Sequence, residues 1–539
     1  MNSIAFVLAF FERSRNRPLE STEKTFSIAS SSHTEQIYTG ILSIYGKALS
    51  ISCLDMGEEN MNKTKLISAS ISMLLLVSMC LPAVLVRPAA AQDEEPIKIG
   101  VFAPFTTAGL SFYAPWTKQG FELGMVYATS EMGYENENKT EAGRPYEIIY
   151  YDTKGSPTEA ASLVTSAIET DGIDIIVGGT YSSVAAAIAP IAEEYEKLYF
   201  ISPAADTTLT AENFNPYIFR IARNNWHDAY AGVTYAMDYL NYTDFAFLAA
   251  DYSFGYSGVQ SMTEVIEEKG GNVRSIQYAP LTANDFSPYI FNLQDADDTY
   301  DIEYLFVIWA GDFSFLYEDL ETYDLAADME ISGACIDILS MNVIEASLTP
   351  PATYEGSTGL CLYGYELPDN DVNDWMVEQH VERNIMPNGA FGLTYRVPEL
   401  FTASGFATAQ FLVNVTNAVP DLNTNDMIMH LEQGLTIDCP KGPTYLRPED
   451  HQGLAEMYIA EAWKDDRSGS ETEGFIIAKH VETLDRFTVA PPVASNYTPM
   501  TTTAPLPPIP FDPLVVGVVA VVAVVALVVI FWIGKSRGS

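Results

Sequence analysis

Residues 146–183 read YEIIYYDTKGSPTEAASLVTSAIETDGIDIIVGGTYSS. The first run, residues 146–153, has the apolar character of a strand and stops at Lys154-Gly155. Ser156 then offers an N-cap, Pro157 a first helical position, and Gly172 a residue beyond the helix end. A second apolar run ends on Gly178 and Gly179, and Tyr181, Ser182 and Ser183 follow it into an alanine-rich helical segment. Strand, helix, strand in this order is a β-α-β unit. Its buried-type strands imply a parallel sheet covered on both faces.

The same pattern extends outward. PIKIGVFAPF (residues 96–105) reads as a strand, TKQGFELGMVYATSEM (117–132) as a helix, and KLYFISP (197–203) as a strand. A second set follows in DFAFLAAD (244–251), YSGVQSMTEVIEEKG (256–270), NVRSIQYAP (272–280) and IEYLFVIWAGD (302–312). The fold class is therefore α/β, with two doubly wound lobes. In open α/β sheets ligands sit outside the carboxyl ends of the strands, where helix N-termini present free N–H groups to anions. The stretch VGGTYSS is such a place. Glycines let a ligand approach the backbone, and the hydroxyls and helix dipole favour a carboxylate. Ser182 acting only as an N-cap would use the same residue type.

Composition bounds the rest. The 539 residues are 48% hydrophobic, enough for more than one packed core. Acidic residues number 71 against 28 basic, a net charge of −43, so no basic footprint for nucleic acid exists. Met61 opens a stretch with Lys63 and Lys65, an apolar run to Val86, and Ala89-Ala90-Ala91 before Gln92. That is the pattern of a secretory signal peptide over residues 61–91, with residues 1–60 a gene-model extension or disordered segment. Residues 514–533, LVVGVVAVVAVVALVVIFWI, form an uncharged run long enough for a bilayer-spanning helix of about 30 Å. Lys535 and Arg537 then place the tail (534–539) in the cytoplasm by the positive-inside rule. Residues 490–513 are rich in proline and threonine and read as a stalk. The body is expected outside the cell, tethered to the membrane at its C-terminus. Its three cysteines, Cys335, Cys361 and Cys439, fit no zinc spacing, and the sequence does not choose a disulfide among them.

The order of motifs resembles the type I periplasmic binding proteins of the branched-chain amino-acid (Leu/Ile/Val) class, the receptors of ABC importers. The resemblance rests on IKIGVFAPFTTAGLSFYAPWTKQGFELGMVYA, the 146–183 unit, YFISPAADTTLT, AADYSFGYSGVQ, and KGPTYLRPEDHQGLAEMYIAE near the end. It implies a Venus-flytrap fold with hinge crossovers: one lobe from 96–222 and 348–435, the other from 223–347 and 436–489. It also implies roles by position. Ser182 would take a ligand carboxylate, helped by the backbone of Ala204 or Ala205 and flanked by Tyr181 and Ser183. Asp206, in the place of a family threonine, would meet an amine. Phe254 replaces a tyrosine lid, with Tyr252 nearby. Tyr113 would line the pocket, Trp309 and Asp312 would face the cleft, and Asp337 lies near the acidic position that reads the amine. No cofactor is implied. The implied partners are a small-molecule ligand, an amino acid or similar, and ABC permease subunits. C-terminal tethering suits an archaeal cell with a single membrane.

An enzyme would need a nucleophile with its base, or a metal cluster. The six histidines are scattered, with no H-E-x-x-H, and no G-x-S-x-G occurs. The Asp450-His451 pair sits in a block that the family uses structurally. The alternative to a transport receptor is a ligand-sensing ectodomain acting with a separate signalling partner.

Overall fold

The computed structural model describes residues 95–106, 113–130, 138–333, 337–386 and 393–500. The signal-peptide region, the preceding segment, most of the stalk, the apolar run 514–533, the tail and Cys335 lie outside these residues. Among the described residues, no helix is long and apolar enough to cross a membrane.

The first lobe begins with β1 (Ile97–Ala103), α1 (Tyr113–Ala128), β2 (Tyr146–Asp152), α2 (Pro157–Ser166), β3 (Ile175–Gly178), α3 (Ser182–Glu194), β4 (Tyr199–Ile201) and β5 (Ile218–Arg220). The quoted unit folds as its sequence predicts. Ser156 Oγ accepts the Glu159 N–H at 3.2 Å, and Pro157 opens α2. A π-helical turn then carries the chain to Gly172 in the left-handed region at φ 69°. Along β3 the side chains alternate. Ile175 and Val177 join one core cluster and Ile176 the other, so both faces of the sheet are covered.

The second lobe contains α4 (Asn225–Thr234), β6 (Asp244–Ala250), α5 (Ser253–Glu268), β7 (Asn272–Ala279), α6 (Ser287–Tyr300), β8 (Tyr304–Ile308), α7 (Phe313–Thr322), β9 (Glu330–Gly333) and α8 (Ile338–Ser347). Its sheet is parallel throughout, in the order β7-β6-β8-β9. Phe245 and Phe247 point to one core; Ala246 and Leu248 point to the other.

The rest of the chain moves between the lobes. It contains β10 (Thr358–Cys361), α9 (Asp371–Glu382), α10 (Leu400–Ala418), α11 (Thr424–Leu431), β11 (Thr436–Cys439), β12 (Gly442–Arg447), β13 (Gln452–Leu454), β14 (Met457–Lys464) and β15 (Ile476–Leu484). Here the strand order corrects the expected boundaries. β11–β13, placed in the second lobe by sequence, complete the first sheet, whose order is β11-β12-β13-β5-β4-β3-β1-β2. β13 joins β5 in parallel, and β12 and β11 follow antiparallel, so that sheet is mixed rather than wholly parallel. Conversely β10, placed in the first lobe, pairs with β14 and β15 in a three-stranded antiparallel sheet. That small sheet belongs with the second lobe. Asn342 of α8 donates to the Ile476 carbonyl and accepts its N–H, both at 2.8 Å.

The chain therefore crosses between lobes between β5 and α4, between β10 and α10, and between β13 and β14. His451 and Gln452 pin this region. His451 stacks on Phe219 at 4.0 Å, and its ring nitrogens meet the Ile218 carbonyl at 2.9 Å and Glu432 at 2.8 Å. Its role is structural. Cys361 and Cys439 are both buried and are not joined in a disulfide.

Candidate functional site

The lobes meet around a small cavity, with about 60 Å³ open to the centres of water-sized molecules. Its walls are the carboxyl ends of strands in both lobes, together with the first turns of the helices that follow.

On the first lobe, β3 ends at Gly178 and the chain turns at Gly179, with φ 117° and 77°. A Cβ at Gly178 would lie 2.2 Å from the Phe102 carbonyl oxygen, and one at Gly179 would lie 2.1 Å from Tyr199 Oη. Only glycine fits this corner. Thr180, Tyr181 and Ser182 then line the cavity. Tyr181, not Ser182, is the N-cap residue of α3, and it supplies no side-chain hydrogen bond to the helix start. The first-turn N–H groups are therefore left to other acceptors. Ser182 Oγ accepts the Asp206 N–H at 3.2 Å, which keeps its own O–H available to donate. Thr180 Oγ1 is buried with no partner. Burial raises the Tyr181 phenol above its ordinary pKa, so it stays a neutral donor.

The neighbouring loop follows β4 through a cis Ser202–Pro203 bond and brings Pro203, Ala204 and Ala205 to the wall. Arg220, fully buried at the end of β5, holds this loop from behind. Its guanidinium donates to the carbonyls of Ala204 and Asp206, to Thr210 Oγ1, and to Gln452 Oε1 at 2.8 Å.

The second lobe contributes Tyr252, Phe254, Trp309 and Asp337, as sequence reading expected, and also Ala310, Phe313 and Ser340. Tyr252 meets Tyr181 edge to face across the cleft at 6.3 Å. Tyr113, at the start of α1 rather than in a loop, packs on Phe401 at 4.4 Å. Thr207 and Ser257 hydrogen-bond between the lobes at 2.9 Å.

Three expected residues do not line this cavity. Ser183 is one position too far into α3. Asp206 turns its carboxylate to Thr208, accepting the N–H and the hydroxyl at 2.9 Å each, as the cap of a short 3-10 turn. Asp312 caps α7 by accepting the Ser314 N–H at 2.8 Å, while its carbonyl accepts from Trp309 Nε1 at 3.1 Å. Asp337 is at the wall but also caps a helix. It accepts Leu339 N–H at 2.9 Å, Ser340 N–H at 3.1 Å and Ser340 Oγ at 2.5 Å. Burial nonetheless raises its pKa, against those bonds and the field of Arg223.

Sequence reasoning missed Arg223, Leu400 and Phe401. Arg223 lies in the crossing between β5 and α4. Its side chain is 7% exposed, its Nη2 stands 3.3 Å from Asp228 Oδ2, and its Nη1 donates to the Pro203 carbonyl at 3.3 Å. Its Nε is buried without a partner. Asp228 itself is pushed up to about 6 by burial, with Arg223 opposing. Beside the cavity, Glu399 caps α10 through Thr402 N–H at 2.9 Å. Its Oε2 has no partner, and burial together with nearby Asp337 pushes its pKa up to about 8.

Comparison with known proteins agrees with this geometry. The chain is 21% identical over 412 residues to Leu/Ile/Val-binding protein homolog 6 of Brucella suis, covering 75% of this chain and 95% of that one. An ABC-type branched-chain amino acid transporter protein of Rhodopseudomonas palustris superposes with TM-score 0.59 at 28% identity, over 74% of this chain and 100% of that one. A solute-binding protein of Rhodopseudomonas palustris solved with 3,4-dihydroxybenzoic acid shares the fold at TM-score 0.60 and 20% identity, over 73% and 98%. A family model described as periplasmic binding protein matches residues 96–468. A two-lobed α/β body with its cavity at the strand ends, matched over most of its length by the family model, belongs to the periplasmic binding protein family, whose members are substrate-binding proteins.

Proposed function

We propose that the chain captures a small carboxylate-bearing solute between its two lobes and delivers it to an ABC permease. The amino-acid and aromatic-acid binding of its relatives brackets the ligand class. One observation carries the reading. The start of α3, Thr180 with its partnerless Oγ1 and Arg223 with its partnerless Nε all line one cavity with aromatic walls. Buried donors without partners are costly, and an anion satisfies them. The aromatic walls suit an apolar body behind the carboxylate. Closure is then a population shift driven by contacts to both lobes. We place the body outside the cell. There the apolar run 514–533 would tether it to the membrane and raise its concentration near the permease.

Thermal unfolding of the full chain, solubilised in detergent, against a panel of small carboxylates tests this. A ligand at a hundred times its dissociation constant should add about 2.7 kcal/mol of stability. Ser182→Ala should weaken that response. No shift with any carboxylate would overturn the reading.

A further inference from the structure

Arg223 is the charged element of the cavity wall that composition and motif order did not foretell, and its surroundings are specific. It carries the wall's fixed positive charge. It faces the carbonyl of Pro203 and the carboxylate of Asp228, with Asp337 near enough for mutual influence. Of these, Pro203 and Asp337 line the cavity, where a ligand's cation would seek an acceptor. The remaining carboxylates of the neighbourhood are engaged in capping. Asp206 is turned to Thr208, Asp312 to Ser314, and Asp337 to Leu339 and Ser340.

Resting on the carboxylate reading above, we propose that Arg223 is the specificity-determining residue of this site, and that the site takes a carboxylate bearing no amine next to it. The guanidinium fills the cation position from within the protein. An α-ammonium brought into the same cavity meets a fixed like charge, and Asp206, Asp312 and Asp337 already spend their carboxylates on capping bonds. A carboxylate without an amine gains a donor in Arg223 Nε, which is left unpaired in the wall. Were the Arg223–Asp228 pair purely a hinge tie, nothing would require the buried Nε of this wall residue to stay without an acceptor. Guanidinium suits the task because its fork keeps two donors on Asp228 and Pro203 while a third serves the ligand.

The test uses pairs of acids that differ only by the α-amine: 3-phenylpropanoate with L-phenylalanine, 4-methylpentanoate with L-leucine, and each other carboxylate of the panel with its α-amino counterpart. Binding is measured by calorimetry on the full chain in detergent. The amine-free member should bind tighter by about 10- to 100-fold, the range that one charge-assisted hydrogen bond supplies. Arg223→Gln should weaken the amine-free acid and shrink that ratio. Arg223→Lys, which keeps the charge, should retain the preference, and unfolding curves show that both variants fold. Equal or tighter binding of the amino acids, or an unchanged ratio in Arg223→Gln, overturns this inference and leaves the carboxylate receptor standing. Binding of neither column overturns both.

Discussion

Replacing Glu399 by glutamine should flatten the pH dependence of stability. The carboxyl of Glu399 is fully buried beside Asp337, and the other ionisable groups facing it are Tyr363 and Tyr395, neutral below pH 9. Its pKa stands at about 8 against an ordinary 4.5, so the folded state holds the proton more tightly than the unfolded chain does. The stability this proton contributes is fully present below pH 4.5 and is lost as the pH rises through about 8. The slope for one proton is about 1.4 kcal/mol per pH unit, so the loss approaches roughly 4–5 kcal/mol at the upper end. Glutamine copies the protonated acid. Its oxygen can keep the Thr402 N–H, and its amide takes the place of the partnerless Oε2. Urea unfolding of wild type and Glu399→Gln between pH 5 and pH 8.5 reads the difference. The other 70 acidic residues (71 less Glu399) are common to both proteins and cancel. The two curves should converge at low pH and separate with the variant more stable at high pH. Parallel curves would refute the argument, because they would mean that Glu399 ionises in the folded protein at little cost.

Two further substitutions test the architecture around the cavity. Gly179→Ala would place a Cβ 2.1 Å from Tyr199 Oη at a φ of 77°, and should cost roughly 2–4 kcal/mol in thermal or urea unfolding; a neutral result would mean the corner is looser than drawn. Arg220→Met removes the donor to the Ala204 and Asp206 carbonyls, Thr210 and Gln452, and should cost about 3–5 kcal/mol by leaving buried acceptors bare. It should also weaken ligand binding through the loosened 203–205 loop, which calorimetry on the folded variant would show.

The parts of the fold legible in the sequence were those set by local periodicity. The strand 175–178 alternates its side chains between two cores, and Ser156, Pro157 and Gly172 mark the ends of their helical segment, because caps and pleats act over a few residues. The hairpin of β11 and β12 and its neighbour β13 were misplaced for the converse reason. The segments CPKGPTYLRPEDHQGL are short and broken by turn residues, and which sheet they join is decided by partners far away in the chain. Gln452 pairs with Arg220, more than two hundred residues earlier, in both backbone register and side-chain hydrogen bonding.

The site divides along the same line. Asp206, Asp312 and Asp337 all looked available to a ligand, yet each precedes a helical turn and closes it with its own carboxylate. Hydrogen bonds to N–H groups two or three residues on carry almost no loop-closure cost, so a short acidic side chain at a helix start goes there first. The Asp-x-Thr, Asp-x-Ser and Asp-x-x-Ser spacings at these points were the available signal. Arg223 had no such local partner. Its long side chain passes the start of α4, pairs with Asp228 and reaches the wall built by Pro203 and Ser182, a place that exists only once both lobes have folded. Leu400 and Phe401 reach the same wall from a helix that packs on α1, close in space and distant in sequence. Charge selection in this cavity therefore lies with a residue at a crossing between lobes. The glycine corner and serines that mark the strand end are the parts a sequence displays, and in the proposed function they would supply general affinity for a carboxylate. The preference among carboxylates belongs to the hinge.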